Sequence, residues 1–395
     1  MKRIIVILAM SFGLMLSGVS SAADANAQLQ QALKTKNYKQ AFTISSEFAK
    51  KGDKAGQYVL GRLYLGGQGV QKNPKLGFSW TQKSAGQQYP RAMHTLGVLY
   101  ASGIGTGKNM KQASLWFTRA GQKGFIDSMI ALGQMYEKGD GIPKNMGSAM
   151  NWYERAANKG VVGVQMMLAE RYFKGIGVRA NPGKAFAFAT KASQNPKAKP
   201  GASYLLALMH ASGKGTKKNP QLAFRNMKFA ADKGVAEAMD GLGVMYLQGI
   251  GTGKNPQQAF QMFNKSARKN YPIGQHHLGL MYLNGQATAK NPGLAFNWFN
   301  KAAQAGLPES QLWVGDLYLD GVGVKAKNYN LAMSWYKKAA AQGLPMGEYS
   351  VGAMYANGFG VKRDANQARI WFNKAAKKGL KRAKAALVQL NNQRK

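Results

Sequence analysis

Hydrophobic and small residues recur along this chain at helical spacing, and the helical pattern itself repeats. Tyrosines mark one slot at Tyr64, Tyr100, Tyr136, Tyr172, Tyr246, Tyr282, Tyr318 and Tyr355, with His210 in the slot between Tyr172 and Tyr246. The steps are 36, 36, 36, 38, 36, 36, 36 and 37 residues. A small residue stands eight positions before each marker (Gly56, Ala92, Ser128, Val164, Ala202, Ala238, Gly274, Ser310 and Gly347), and Leu-Gly pairs such as Leu60-Gly61 and Leu278-Gly279 fall between. That spacing predicts a helix, helix A, with a face small enough for a neighbouring backbone to approach. Sixteen or seventeen residues after each marker comes Trp80, Trp116, Trp152, Phe188, Asn226, Met262, Trp298, Trp335 or Trp371. These predict a second helix, helix B, that buries its Trp/Phe column. Asn-Pro opens it five times, as at Asn73-Pro74, since Asn caps a free N–H and Pro is tolerated in the first turn. A glycine such as Gly124, Gly160, Gly234, Gly306, Gly343 or Gly379 stops it in the left-handed region. One such hairpin cannot bury its own apolar stripe, so stacked neighbours must bury it together.

The ends depart from the period. Lys2 and Arg3 precede an apolar run from Ile4 to Leu16, followed by Ser20-Ser21-Ala22-Ala23. This order predicts a secretory signal peptide over 1–22. The 13-residue run is too short to span a bilayer, which takes about 20 residues. Residues 23–52 read as an N-terminal capping repeat, with Tyr38, Phe42 and Phe48 on helical spacing, and residues 380–395 as a C-terminal capping helix with Lys381, Arg382, Lys384 and Arg394 outward. Solenoid ends need such polar outer faces. Residues 53–379 then form one solenoid of nine repeats. The segment Asn195-Pro196-Lys197-Ala198-Lys199-Pro200 lengthens one step to 38 without losing phase.

The run Leu-Gly-x-x-Tyr-x-x-Gly-x-Gly-Val … Ala-x-x-Trp-Phe-x-Lys-Ala-Ala-x-x-Gly resembles the Sel-one-like repeat, a relative of the tetratricopeptide repeat. Val351, Gly352, Tyr355, Gly358, Gly360, Val361, Ala368, Trp371, Phe372, Lys374, Ala375, Ala376 and Gly379 carry it most fully. The resemblance implies an all-α fold: a right-handed α-solenoid of stacked helix-turn-helix repeats, about nine units of 36 residues plus capping helices. It also implies an adaptor or scaffold that binds rather than catalyses. A cysteine-rich branch of the family is linked to β-lactams; this chain has no cysteine, and that activity is not carried over. One feature departs from the family pattern. Helix B opens on Asn at Asn73, Asn109, Asn145, Asn181, Asn219, Asn255, Asn291 and Asn328, and on the family's Asp only at Asp364. Both residues cap equally well, so the exchange removes negative charge and keeps the cap.

Charge sharpens the picture. The 395 residues carry 55 Lys+Arg against 16 Asp+Glu, a net +39; hydrophobic residues make up 45%, too many for a disordered polycation. With no cysteine and four histidines, disulfides, zinc-thiolate sites and cysteine nucleophiles are excluded. His94 and His276 share a helix A column five units apart and cannot chelate one ion, so no metal site is expected. Gly103-Ile-Gly-Thr-Gly-Lys108 and Gly249-Ile-Gly-Thr-Gly-Lys254 are one residue short of a phosphate loop, and Asn109 and Asn255 stand where Ser or Thr would be needed. No Ser-His-Asp or paired-carboxylate arrangement stands out. The expectation is a non-enzyme without cofactor.

Two features remain as candidate binding determinants. Lys72, Lys108, Lys144, Lys218, Lys254 and Lys290 recur in the loop before the Asn cap and predict a basic ladder. Its role is either a track for a polyanion or acidic protein, or a merely solvated face. A second basic column (Lys83, Arg119, Arg155, Lys191, Lys265, Lys301, Lys338 and Lys374) belongs to the family pattern. On helix A, two columns four residues apart share one face and change from unit to unit, as in Tyr58/Arg62, His94/Val98, Tyr204/Leu208, Asp240/Val244, His276/Leu280, Leu312/Asp316 and Tyr349/Ala353. Tyr58, Arg62, His94, Tyr204, His276 and Tyr349 are the candidate groove contacts, unless the slots vary only because they are exposed. The resulting expectation is a monomeric adaptor or regulator in the periplasm of a Gram-negative bacterium, or secreted, binding an acidic protein. The alternative is a binder of lipopolysaccharide, acidic exopolysaccharide or cell-wall polymer, or a secreted host-interaction factor. No physiological nucleic-acid partner and no transmembrane segment are expected.

Overall fold

The structure, a computed structural model, describes residues 20–392. Among the described residues there are 21 helices and no strand. The helices preceding the repeats are α1 (Ser20–Lys34) and α2 (Tyr38–Lys50). The A helices are α3 (Lys54–Gly66), α5 (Pro90–Ser102), α7 (Ile126–Lys138), α9 (Val162–Lys174), α11 (Lys199–Ser212), α13 (Ala236–Gln248), α15 (Pro272–Asn284), α17 (Pro308–Asp320) and α19 (Pro345–Asn357). The B helices are α4 (Pro74–Gly86), α6 (Met110–Gln122), α8 (Met146–Asn158), α10 (Pro182–Ser193), α12 (Pro220–Asp232), α14 (Pro256–Arg268), α16 (Pro292–Gln304), α18 (Tyr329–Ala341) and α20 (Ala365–Lys377), and α21 (Lys381–Asn392) follows them. This is an all-α solenoid. The chain falls into two compact units, one ending at Ala180 and one beginning at Asn181. Residues 1–19 of the expected signal peptide lie outside the described residues, as does Arg394; Ser20–Ala22 open α1.

The expected caps are in place. The side-chain oxygen of Asn73 accepts from the Leu76 N–H at 3.0 Å, and every later B-helix cap through Asn328 repeats that bond at 2.9–3.0 Å. Asp364 does the same for Gln367 at 2.9 Å. Each cap contributes about 1 kcal/mol. The cap's own N–H reaches back to the carbonyl of the marker residue on the preceding A helix, as from Asn109 to Tyr100 at 2.8 Å and from Asn219 to His210 at 2.8 Å. One residue thus starts helix B and ties down the loop before it.

The core differs from the expectation in one respect. The tryptophans at Trp80, Trp116, Trp152, Trp298, Trp335 and Trp371 are only half-buried. The residue after each, such as Phe117, Tyr153, Phe299, Tyr336 or Phe372, is the one buried deep in the hairpin. It fits against the glycine three positions before the tyrosine marker, where a β-carbon would collide with the ring: Gly97 faces Phe117, Gly279 faces Phe299 and Gly352 faces Phe372. The tryptophan lies beside this contact and carries the second basic column on its face. Lys83, Arg119, Arg155, Lys301, Lys338 and Lys374 stack on their tryptophans at 3.8–4.6 Å from the ring centroid. At exposed sites such contacts are worth about 0.5–1 kcal/mol each. The second basic column therefore shields the aromatic rim of the B helices.

The marker tyrosines other than the buried Tyr172 are likewise half-buried, and five of their rings meet a phenylalanine edge-on. The pairs Phe42–Tyr64, Phe78–Tyr100, Phe224–Tyr246, Phe260–Tyr282 and Phe296–Tyr318 have centroids 5.2–5.5 Å apart. His210 keeps the contact with Phe186 at 5.6 Å, so it fills the tyrosine slot as a packing residue. Each phenylalanine comes from the helix before the marker's own A helix, which makes these pairs bonds between successive repeats.

Candidate functional site

In the first unit, α3, α5 and α7 together line a concavity of about 1090 Å³. Three of the six candidate groove residues meet there: Tyr58, Arg62 and His94. Tyr204, His276 and Tyr349 lie on α11, α15 and α19 of the second unit. The slots that face the concavity repeat from helix to helix. Tyr58, His94 and Ile130 share one slot, and Arg62, Val98 and Gln134 share the next, four residues on. Arg91 and Asp127 widen the face on one side, and Ser102 and Lys138 on the other. Lys108, a member of the loop ladder, also borders it.

These residues do not all stand free. Tyr58 is only 8% exposed; its ring meets Tyr89 edge-on at 5.5 Å and lies under the Arg62 guanidinium at 5.8 Å. It forms the floor of the concavity, while Arg62 presents the charge. His94 is half-buried against Phe117 and Phe125, with Nδ1 2.9 Å from the Ser128 hydroxyl. Burial pushes its pKa below the usual value, against a smaller opposing effect of Asp127. His276 repeats the arrangement in the second unit, 2.8 Å from the Ser310 hydroxyl, with its pKa pushed down to about 4 by burial and by His277. Both histidines therefore join consecutive A helices as neutral hydrogen-bonding groups.

Other members of the variable columns are taken up internally in the same way. Asp240 holds His277 at 2.7 Å. Asp316 accepts from the Tyr336 hydroxyl at 2.7 Å, and burial raises its pKa. Part of the variation along this face is thus matched by a neighbour that changes with it. Gln134 of the first unit stays exposed. The loop lysines Lys72, Lys108, Lys144, Lys218, Lys254 and Lys290 are all exposed.

The glycine-rich loops lie between an A and a B helix, with no strand before them among the described residues. Among those residues no group of three or more His, Asp or Glu side chains is placed to hold a metal ion, and no helix is long and apolar enough to cross a membrane.

A family model described as Sel1 repeat matches nine segments: 54–89, 90–125, 126–161, 164–196, 200–235, 236–271, 272–307, 308–344 and 345–380. Among solved structures, the chain is similar to a Sel1 repeat protein from Oxalobacter formigenes. The two share 27% identity over 86% of this chain and 96% of that one, with a TM-score of 0.66. It is also similar to a protective antigen present in uropathogenic Escherichia coli strains, displaying an SLR fold: 28% identity over 88% of this chain and 82% of that one, with a TM-score of 0.56. No curated protein matches the sequence.

Proposed function

Because this chain belongs to the Sel1 repeat family, whose members generally mediate protein–protein interaction, we propose that it is an exported, non-enzymatic adaptor holding one protein partner against the A helices of its first unit. The supporting observation is the concavity of about 1090 Å³, in which half-buried aromatic and apolar side chains lie beside charged ones. Rings in a partly desolvated recess are what interface hot spots are made of. The polarity there favours an acidic segment. Arg62, Arg91, Lys108 and Lys138 face it with Asp127 and Asp140, a balance of 4 − 2 = +2. Export rests on the order of Lys2-Arg3, the apolar run and the small residues near Ala22, which would place the adaptor in the periplasm.

Site-specific photocrosslinking tests the reading. A benzophenone side chain is placed at Ser102 or Gln134 in the concavity, and at Leu115, which is exposed on α6. The expected outcome is an adduct with one envelope protein from Ser102 and Gln134 and none from Leu115. Equal adducts from Leu115, or none from the concavity, would remove this face as the binding site.

A further inference from the structure

The charge of this protein is divided between its two sets of helices. The B helices α4 to α20 hold 17 Lys/Arg and two acids, Glu154 and Asp232, for 17 − 2 = +15. The A helices α3 to α19 hold seven Lys/Arg and nine acids, for 7 − 9 = −2. The seven cations all lie on α3 to α11. The helices α13, α15, α17 and α19 of the second unit have no Lys or Arg at all and carry six acids: Glu237, Asp240, Glu309, Asp316, Asp320 and Glu348. In a chain of 55 cations and 16 acids, that is a reversal of sign on one face.

The repeat register places most of these acids where a partner would lie. In the first unit the concavity is lined from helix slots nine, six and two positions before the tyrosine marker and two positions after it, with the loop lysine Lys108 at its rim. In the second unit that rim slot holds Lys254, Lys290 and Arg363, so the cations there stand at the loop edge and the acids on the helices. Glu237 and Glu309 occupy the first of the helix slots, Asp240 the second, Asp316 the third and Asp320 the fourth. The same slots hold apolar and aromatic side chains on the same four helices: Ile273, which is 37% exposed, and the half-buried Leu280, Leu312 and Tyr349. This is a mixed docking face.

Two further observations bear on its occupant. Asp240 is paired with His277 and Asp316 with Tyr336, but Glu237, Glu309 and Asp320 are exposed and form no salt bridge with a described residue. Asp316 and Asp320 are also four residues apart at the C-terminal end of α17. Like charges at that spacing repel, and acids at a helix C-terminus oppose its dipole. Asp320 accordingly helps to raise the pKa of Asp316. The arrangement costs stability in the free protein, and a cation seated between the repeats would relieve it.

We infer that the A-helix face of α13 to α19 docks a Lys/Arg-rich polypeptide segment, opposite in polarity to the partner that the net charge of the chain suggests. The inference rests on the reading that A-helix faces of this protein dock polypeptides, but it concerns a second face. Charge complementarity sets the class of ligand and the apolar slots between the acids set its form: a segment in which basic residues alternate with apolar ones. The local field attracts such a segment although the molecule as a whole repels it.

The test is selection of a random-peptide display library on the full mature chain, then on a variant carrying Glu237→Gln, Glu309→Gln and Asp320→Asn. All three side chains are on the surface, and a melting temperature no lower than that of the parent chain establishes that the variant is folded. The expected result is a set of clones at least about tenfold weaker on the variant, each with a net positive peptide. Carboxylate-dependent clones that are neutral or acidic would overturn the inference, as would the absence of any carboxylate-dependent clone. A parallel selection on Arg62→Glu with Lys138→Glu separates the two readings. Clones sensitive only to that pair leave the first-unit groove standing and remove the second face. Clones insensitive to both sets of changes remove groove docking altogether.

Discussion

Gly279→Ala is expected to destabilise the second unit by about 1–3 kcal/mol, a large penalty for one methyl group. A β-carbon at Gly279 would sit 2.8 Å from Cε1 and 2.9 Å from Cδ1 of Phe299, a ring with no exposed surface. Neither group can move away, because α15 and α16 close on each other through this contact. The fifth repeat shows how the same slot accepts a methyl group. There the glycine is Ala207 and the inserted side chain is Met227, packed in one buried cluster; methionine is unbranched and adapts to a filled slot. Gly279→Ala combined with Phe299→Met should therefore recover most of the loss, although Phe299→Met alone gains nothing. Urea unfolding of the three variants reads this directly. A neutral single variant, or a double variant with the two losses simply added, would show that the glycine column does not set the closeness of the hairpin.

Lys378→Gln should cost about 1–2 kcal/mol, and Glu348→Gln in the same chain should restore it. Lys378 donates to the Gly343 carbonyl at 2.9 Å and to Glu348 at 2.7 Å. Glu348 is 5% exposed, and its second carboxylate oxygen is buried without a partner among the described residues. Removing the cation leaves that charge buried and uncompensated, which costs about 3–5 kcal/mol for a fully enclosed pair; the Lys378 side chain is 41% exposed, so solvent screening lowers the figure. Earlier repeats make the same bridge with two amides. Gln342 donates to the Gly306 carbonyl and to Gln311, both at 2.9 Å, and Gln87 donates to the Gly52 carbonyl at 2.8 Å and to Gln57 at 2.9 Å. The doubly substituted chain would carry this third Gln–Gln bridge. Thermal melts of the two single variants and the pair form a double-mutant cycle. A cycle with no coupling would mean that the ion pair and the amide pair are not interchangeable.

The period, the helix pairs and the Asn caps were legible because each depends on residue types that recur in register. The Asn cap needs a specific side chain at a specific backbone position, so eight asparagines stand out without any structure. The depth of the core was less legible. Trp116 and Phe117 are consecutive, about 100° apart around the helix, and both are aromatic; which one enters the hairpin depends on where Gly97 lies across from them. The tryptophan column recurs more faithfully because its basic partner three residues on also recurs. The candidate groove was legible as a face but not as a set of free side chains. His94 pairs with Ser128 and Asp316 with Tyr336, and partners 34 and 20 residues away cannot be assigned from one column at a time. The reversal of sign on α13 to α19 was present in the sequence all along. It was hidden by a net charge of +39 and became visible only when each residue could be sorted by helix.

The central claim is that binding is done by packed side chains of an A-helix face and not by the basic surface as a whole. Affinity capture from envelope extract at about 50 and about 500 mM salt tests it most directly, since the screening length shortens severalfold over that range. The account predicts one protein retained at both salts. Arg62→Glu with Lys138→Glu should release it, and exchange of Lys72, Lys144, Lys218, Lys254 and Lys290 for Gln should leave it bound. Capture of only anionic polymer or many acidic proteins, all eluting at the higher salt and all lost with the loop lysines, would contradict it and make the lysine ladder the binding site.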